Sequence, residues 1–559
     1  MTARGLFAGR KQERRSDMAI IVSQVKTRLK DGSSHQQIIE SARKTAQLRP
    51  EQIKRSYLIK SSVDARHQEN ILLVSSVGFE LHTAKEEQQT VARLQRTKAA
   101  SSVKWEEKQL LEFVQGQSPM EHPPVVVGFG PAGMFAALTL ARLGYCPVVL
   151  ERGADVDSRV QAVQGFWQQR HLDVKTNVQF GEGGAGTFSD GKLTTRISDP
   201  RCDFVLEEMI RHGAPEEIRY RQKPHVGTDL LRGVVKSIRE EIIRLGGQVL
   251  FETRMERVVL RQGRVQAVKS SAGEIPTQVL VLAIGHSARD TFEQLCADGI
   301  FLEPKPFSVG VRIEQRQSVI DAGLYGKQAG HPALPKGEYQ LSWRDEQGRG
   351  VYTFCMCPGG YVVASSSEEE TVVTNGMSEY ARDGENANAA LVVSVDASDF
   401  GSGVLDGVAF QRRLERQAFV LGGKDYRAPA QSVKSYLEAA APDLSQAATT
   451  PSFSCGVREA DLHSLFPQPI NQMLEQGLRR FNRRLPGFAD ADAVMTGVET
   501  RTSSPVRITR DAQSFQALGM QGLYPCGEGA GYAGGIMSAA VDGVRIAQQI
   551  IGQYAPVKQ

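Results

Sequence analysis

Residues 123–153 read PPVVVGFGPAGMFAALTLARLGYCPVVLERG, and the fold turns on them. An apolar run at Val125–Val127 enters the turn Gly128-Phe129-Gly130-Pro131-Ala132-Gly133. An Ala- and Leu-rich segment then carries no charge before Arg142, and Val148–Leu150 is apolar again. Short uninterrupted apolar runs flanking a helix are what a parallel sheet demands, so the stretch reads as one βαβ unit. The glycine spacing has a reason at each place. Gly128 permits the tight turn, Gly130 lets the backbone approach a pyrophosphate, and Gly133 lets helix pack on strand. The helix beginning at Pro131 and Ala132 offers unpaired N–H groups and a partial positive charge to phosphate. Glu151, at the end of the second strand, suits hydrogen bonds to free ribose hydroxyls.

Working outward, 559 residues exceed one hydrophobic core and predict two or three domains. Hydrophobic residues are 41% and charged residues 23%, the balance of a globular chain rather than a disordered one. Residues 1–17 read as a flexible basic tail, with Met18 a candidate start. Residues 18–83 alternate strand-like and helical runs (AIIVSQVKTRL, HQQIIESARKTAQL, ENILLVSSVGFEL) and predict a small N-terminal α+β domain. Residues 84–120, rich in Lys, Glu and Gln, predict a helical linker. Residues 121–300 form the first part of the nucleotide-binding domain. Their long amphipathic helix ends at Gly246-Gly247, and the strand after it begins at Met255. Residues 301–490 change to short strands and helices, an inserted α+β substrate domain, and 491–559 return to the first style. The expected class is α/β, a Rossmann-like domain carrying the insert and the N-terminal unit.

Three further segments specify the nucleotide. VLVLAIGHSA (279–288) is a strand ending in the small turn Ala283-Ile284-Gly285, where a crossover passes close under a nucleotide. LYPCGEGAGYAGGIMSAAVDG (523–543) is a strand, an acid and a glycine cluster opening a helix at Gly534, Gly535 and Ile536. Such a helix aims its N–H groups at the electron-rich edge of a flavin. GEGGAGTFSDGKL (181–193) is a donor-rich loop suited to cover the pyrophosphate and the flavin face, through Gly184, Gly186, Thr187, Asp190, Gly191 and Lys192.

With these motifs, and with NVQFGEGGAGTFSDGKLTTR, KPHVGTD, CMCPGGYVVASSSEE and VETRTSSPVRITRD beside them, the chain resembles the glutathione-reductase-type flavoprotein superfamily. More narrowly, it resembles the group labelled FAD-dependent dehydrogenases or NAD(P)/FAD-dependent oxidoreductases. The resemblance covers roughly 35–550. It implies FAD, with Gly128, Gly130, Gly133 and Glu151 at the ADP half, Arg152 flanking the adenosine and the Met255 backbone beside adenine. Gly527 and Glu528 match the late ribityl motif, where superfamily members more often carry Asp.

The expected activity is oxidoreduction by hydride transfer at flavin N5, on a small-molecule substrate that no motif encodes. No second G-x-G-x-x-G is read on a βαβ unit of its own, so NAD(P)H is expected only as a transiently docked reductant. Cys357, His225 and Arg501 are weak catalytic candidates. The seven cysteines include no CxxC pair and no zinc spacing, so no metal is expected, and reduced thiols point to the cytoplasm. No apolar run reaches the length of a membrane span. Net charge is only +4, and the N-terminal unit holds just Tyr57 and Phe79 as aromatics between 19 and 81, so nucleic acid is not signalled. Two rival readings stay open: an RNA-binding flavoprotein, and a non-catalytic FAD protein whose N-terminal domain serves a protein partner or self-association.

Overall fold

The computed structural model describes residues 18–29, 34–97, 99–107, 111–445 and 447–557, so the tail expected at 1–17 lies outside the described residues. The N-terminal unit runs β1 (Met18–Arg28), α1 (His35–Thr45), β2 (Ile53–Asp64), β3 (Leu72–Leu81), α2 (Ala84–Leu94) and β4 (Val103–Glu107). Its strands lie in the order β2-β3-β1-β4, each antiparallel to its neighbour. Ile20, Val22, Val77 and Phe79 alternate along β1 and β3 and are buried with Ile38, Ala42 and Leu94 of the two helices. Capping boxes start both helices, Ser34 with Gln37 and Thr83 with Glu86.

The helical linker expected at 84–120 needs correction. Among the described residues of that span only Ala84–Leu94 is helical, and β4 then pairs with β1 from Met18↔Glu107 to Val22↔Val103. Its sequence VKWEE is that of an edge strand guarded by charge, a composition that resembles linker when read without its partner.

The nucleotide-binding layer is a parallel sheet of β5 (Val125–Val127), β6 (Val148–Leu150), β7 (Gln248–Leu250), β11 (Leu280–Leu282) and β23 (Leu523–Pro525), in the order β23-β11-β5-β6-β7. All four pairings are parallel. The strand beginning at Met255 is not in this sheet. It is β8 (Met255–Arg261) of an antiparallel meander with β9 (Arg264–Ser270) and β10 (Gly273–Pro276). Helix α3 (Pro131–Arg142) is buried at every position from Ala132 to Ala141. It packs in one core with α5 (Arg201–Arg211), α6 (Thr228–Arg244) and the C-terminal helix Ile536–Gln553, while α4 (Val156–Gln169) and α7 (Arg289–Ala297) complete the layer. The seam between α3 and the C-terminal helix is so tight that a methyl on Gly543 would lie 2.1 Å from the Ala132 carbonyl oxygen.

The third layer begins where β12 (Leu302–Pro304) pairs with β22 (Val506–Ile508). Above it stands a mixed sheet of β13 (Phe307–Arg316), β14 (Ser342–Arg344), β15 (Gly350–Cys357), β18 (Asn386–Val395), β19 (Ala428–Ser432), β20 (Val457–Glu459) and β21 (Val494–Glu499), in the order β14-β15-β18-β13-β21-β19-β20. A ribbon of β16 (Tyr361–Ala364) and β17 (Thr374–Met377) flanks it, and helices Asp406–Leu421 and Gln468–Arg484 share its core. The boundary placed at 490 cuts through this unit. β21 is buried throughout and hydrogen-bonds to β13 and β19, so the sheet runs on to Glu499. The long-range pairing that holds β21 there leaves no mark in its local composition.

Candidate cofactor cavity

A cavity of about 690 Å³ lies between the parallel sheet and the mixed sheet. One end is walled by Gly128, Gly130, Pro131, Ala132, Glu151, Arg152 and Met255. The lining also takes Gly184, Gly186, Asp190 and Lys192 from the glycine loop, Ala283 and Gly285 from the crossover, and Glu528, Gly534, Gly535 and Ile536. Four residues expected at the cofactor do not line it: Gly133, Thr187, Gly191 and Gly527. Each has a packing role instead. A methyl on Gly133 would meet the Gly128 oxygen at 1.9 Å, and one on Gly191 the Gly227 nitrogen at 2.9 Å. One on Gly527 would meet the Ala132 Cβ at 2.6 Å. Thr187 is buried, donating from Oγ1 to the Glu182 carbonyl at 3.3 Å.

The C-terminal glycine cluster serves two purposes. Gly529 and Gly531 are small because Gly285 and Val506 backbone oxygens stand 2.4 and 3.0 Å from where their Cβ atoms would be. Gly534 and Gly535 have nothing within 4 Å and open on the cavity. The helix that starts there has no side-chain cap, and neither has α3 at Gly130. Two uncapped helix N-termini therefore meet one cavity, a donor set matched to an anionic, electron-accepting ligand. The cavity's size is that of a cofactor site, and the open glycine surfaces are where a Cβ would intrude. The residues present fit FAD.

Glu151 is buried and accepts hydrogen bonds from the backbone N–H groups of Phe129 (2.8 Å), Gly153 (3.0 Å) and Gly181 (3.0 Å). It thereby fixes the glycine turn to the glycine loop, and a carboxylate's four acceptor positions leave one for a ligand hydroxyl. Arg152 donates to Asp290 at 3.0 Å and Thr291 at 2.9 Å, and its guanidinium lies 4.3 Å from the Phe180 ring centre. Asp190 and Lys192 belong to a charged lattice. Asp190 pairs with Arg382 and accepts from Ser378, while Lys192 donates to the Met356 carbonyl and faces Glu338 at 3.7 Å.

Of the weak catalytic candidates, Arg501 alone reaches the lining. Glu415 clamps it at 3.0 and 3.2 Å, and it donates to Ser287 Oγ at 3.1 Å. His225 is buried against Tyr380, whose carbonyl lies 3.0 Å from Nε2, and burial pushes its imidazole pKa down. Cys357 is fully buried behind the wall. The lining also presents Cys355 of the CMCPGG motif, together with His286, Ser287, Tyr352, Phe354 and Asn375, which were not named as candidates. His286 follows the crossover glycine directly, and that adjacency was the legible signal. Burial, with Arg501 and Arg289 nearby, pushes its imidazole down to about 3, so it is a neutral hydrogen-bonding group with Nδ1 3.0 Å from Ser287 Oγ.

Burial pushes the Glu528 carboxyl up to about 7, with Lys305 opposing and Cys355 adding to the rise. The folded apoprotein therefore holds a proton that the unfolded chain has lost, from the ordinary Glu range near 4.3 up to about 7. Stability from this group is lost as pH rises through that window. In urea titrations of FAD-free protein, Glu528→Gln is expected to flatten the slope between pH 5 and 7. An unchanged slope would place the titration elsewhere.

Among the described residues no helix is long and apolar enough to cross a membrane. Residues 306–502 match the family model "FAD-dependent protein, C-terminal domain-like". Glycine oxidase from Bacillus cereus is similar at 12% identity and a TM-score of 0.31, covering 77% of this chain and 95% of that one. L-Proline dehydrogenase from P. horikoshii is similar at 12% identity and a TM-score of 0.30, covering 77% and 94%. A protein of Clostridium beijerinckii described as uncharacterized is 48% identical over 508 residues, 90% of this chain and 93% of its own. The chain belongs to one family with the Clostridium beijerinckii protein, and FAD is its cofactor.

Proposed function

We propose that the protein is an FAD-dependent oxidoreductase of the glutathione-reductase-type superfamily that moves hydride to or from a small molecule held against the mixed sheet. One observation carries this reading: the dinucleotide turn at Gly128–Gly133, the open helix start at Gly534–Ile536 and the side chains of β15 and β17 wall the same cavity. When bound, FAD supplies a hydride acceptor or donor at its N5. The chain's own work is binding, orientation and charge. The N–H groups at Gly535 stabilise negative charge at the far end, and those at Gly130 hold the phosphates. Arg501, locked by Glu415, places a fixed positive charge beside a substrate carboxylate or carbonyl. Neutral His286 offers a hydrogen bond without adding charge, and Tyr352 and Phe354 set the shape of the substrate end. NADH or NADPH, as reductant, docks in that same end, and the expected compartment is the cytoplasm.

The test is an anaerobic absorption spectrum of the FAD-loaded protein, followed by NADH and then NADPH. Bleaching of the visible flavin bands by one nucleotide is the expected result and identifies the reductant. Bands that persist with both nucleotides, and with a panel of amino, hydroxy and carbonyl acids, would overturn the redox reading.

A further inference from the structure

We propose that Lys192 and Lys223 form a subsite for a carboxylate of the substrate, and that Glu338 is a resident stand-in which that carboxylate displaces. On the small-molecule reading of the cavity given above, on which this rests, the substrate class is an organic acid held by two ammoniums beside β15.

The two lysines are brought together from separate elements. Lys192 ends the glycine loop, and its ammonium donates to the Met356 carbonyl of β15, which fixes it on the mixed-sheet wall. Lys223 follows a stretch gripped by the N-terminal unit. Ser61 of edge strand β2 donates its N–H to the Tyr220 carbonyl at 2.7 Å, and the Gln222 N–H donates to the Ser61 carbonyl at 2.9 Å. Both ammoniums turn toward one carboxylate. Glu338 Oε1 stands 3.7 Å from Lys192 Nζ and 3.4 Å from Lys223 Nζ, and all three residues line the cavity. Arg382 reaches Glu338 Oε2 at 3.5 Å, but its guanidinium is already committed to Asp190 by two hydrogen bonds. The lysines are therefore the pair left to a ligand.

Glu338 is held loosely. Glu499 is clasped by Arg312 at 2.9 Å twice, and Glu415 by Arg289 at 2.7 and 2.9 Å. The three cations around Glu338 stand at 3.4 to 3.7 Å, and Lys223 is half-exposed, so each pair holds little. Burial raises the Glu338 carboxyl pKa, but Lys192, Lys223 and Arg382 outweigh it and keep the group anionic.

The side chain also has somewhere to go. Glu338 lines the cofactor cavity and, on its other side, a cleft of about 740 Å³ against the N-terminal unit, walled there by Arg66, His67 and Gln68. Arg484 lies in that cleft and offers the displaced carboxylate a partner. Residues 335–341 form neither helix nor strand, yet both neighbours of Glu338 are anchored. The Gly337 N–H donates to Asp321 at 2.6 Å, and Tyr339 is buried with its hydroxyl donating to Gln315 at 3.2 Å. Displacement therefore needs only rotation of the Glu338 side chain. Two ammoniums then face the cavity, and a ligand carboxylate restores the charge balance that Glu338 supplied.

The probe is succinate, titrated calorimetrically into the full FAD-loaded protein, with neutral succinamide as its match in shape. An occupant that fills a site about nine-tenths of the time weakens its ligand about tenfold. Glu338→Gln should therefore bind succinate about tenfold more tightly than the wild type, an effect that loss of a merely structural carboxylate would not produce. Adding Lys223→Met should cancel the gain, and succinamide should show none of it. Visible flavin absorbance of each variant checks that the fold is kept. If Glu338→Gln loses FAD, Glu338→Asp, its carboxylate set back by one methylene, should show a smaller gain of the same sign. Absence of succinate binding, no gain in either Glu338 variant, a gain that survives Lys223→Met, or an equal gain with succinamide overturns the proposal. No reductant enters these titrations, and bleaching by NADH or NADPH on the same samples reports the redox reading separately.

Discussion

Glu415→Ala is expected to lower the folding free energy by about 3–5 kcal/mol, because it strips a buried ion cluster of the anion shared by its two arginines. Glu415 is fully buried in helix Asp406–Leu421. Its carboxylate accepts from Arg289 at 2.7 and 2.9 Å, from Arg501 at 3.0 and 3.2 Å and from Thr500 at 2.6 Å. Arg289 opens α7 of the nucleotide layer and Arg501 follows β21, so this one side chain ties the layers together beside the cavity. Without it, two buried guanidiniums face each other, with only Glu368 and Gln411 left on Arg289. Urea unfolding of the variant is the measurement, and a loss below about 1 kcal/mol would show that water enters and solvates the arginines. The two guanidiniums outweigh burial and hold the Glu415 carboxyl well below the usual range. Its stabilisation is therefore complete above the ordinary Glu pKa near 4.3 and drains away as pH falls below that toward the depressed folded value.

Gly133→Val is the second large effect. Its Cβ would stand 1.9 Å from the Gly128 oxygen, and both atoms are backbone-anchored, so either the turn or helix α3 must shift. Overpacking of this kind costs about 1–3 kcal/mol. The displaced turn also forfeits FAD, whose binding at a hundredfold excess over Kd contributes about 2.7 kcal/mol. The purified variant is expected to be nearly colourless, with a thermal midpoint that added FAD no longer raises. Gly233→Ala is the control. Gly233 lies in α6 with nothing within 4 Å of its Cβ position, so alanine should gain up to about 1 kcal/mol of helix propensity and leave flavin content unchanged. A coloured, FAD-responsive Gly133→Val would show that the turn has more room than the packing implies.

How much of this was readable in advance depended on the range of the forces involved. The βαβ unit was legible because strand, turn and helix are neighbours in the chain, and each glycine in 128–133 answers a local demand of backbone geometry. The same holds for Glu151, for the crossover at Ala283–Gly285 and for Gly534–Ile536. Gly133 was legible in its packing role, but Gly527 only as a necessary glycine, since whether a missing Cβ makes room for a ligand or for the protein's own atoms depends on what packs opposite. Strand β4 and the continuation of the mixed sheet through β21 escaped notice because their partners lie far along the chain. The sequence by itself determined the dinucleotide turn, the glycine helix starts and the cofactor class they serve. Only the tertiary structure decided which side chains face the cavity: Cys355 rather than Cys357, and His286 rather than His225. The physical reason is range: what a residue faces is set by partners distant along the chain, as when β15 meets β18 across a one-residue bulge between Phe354 and Cys357.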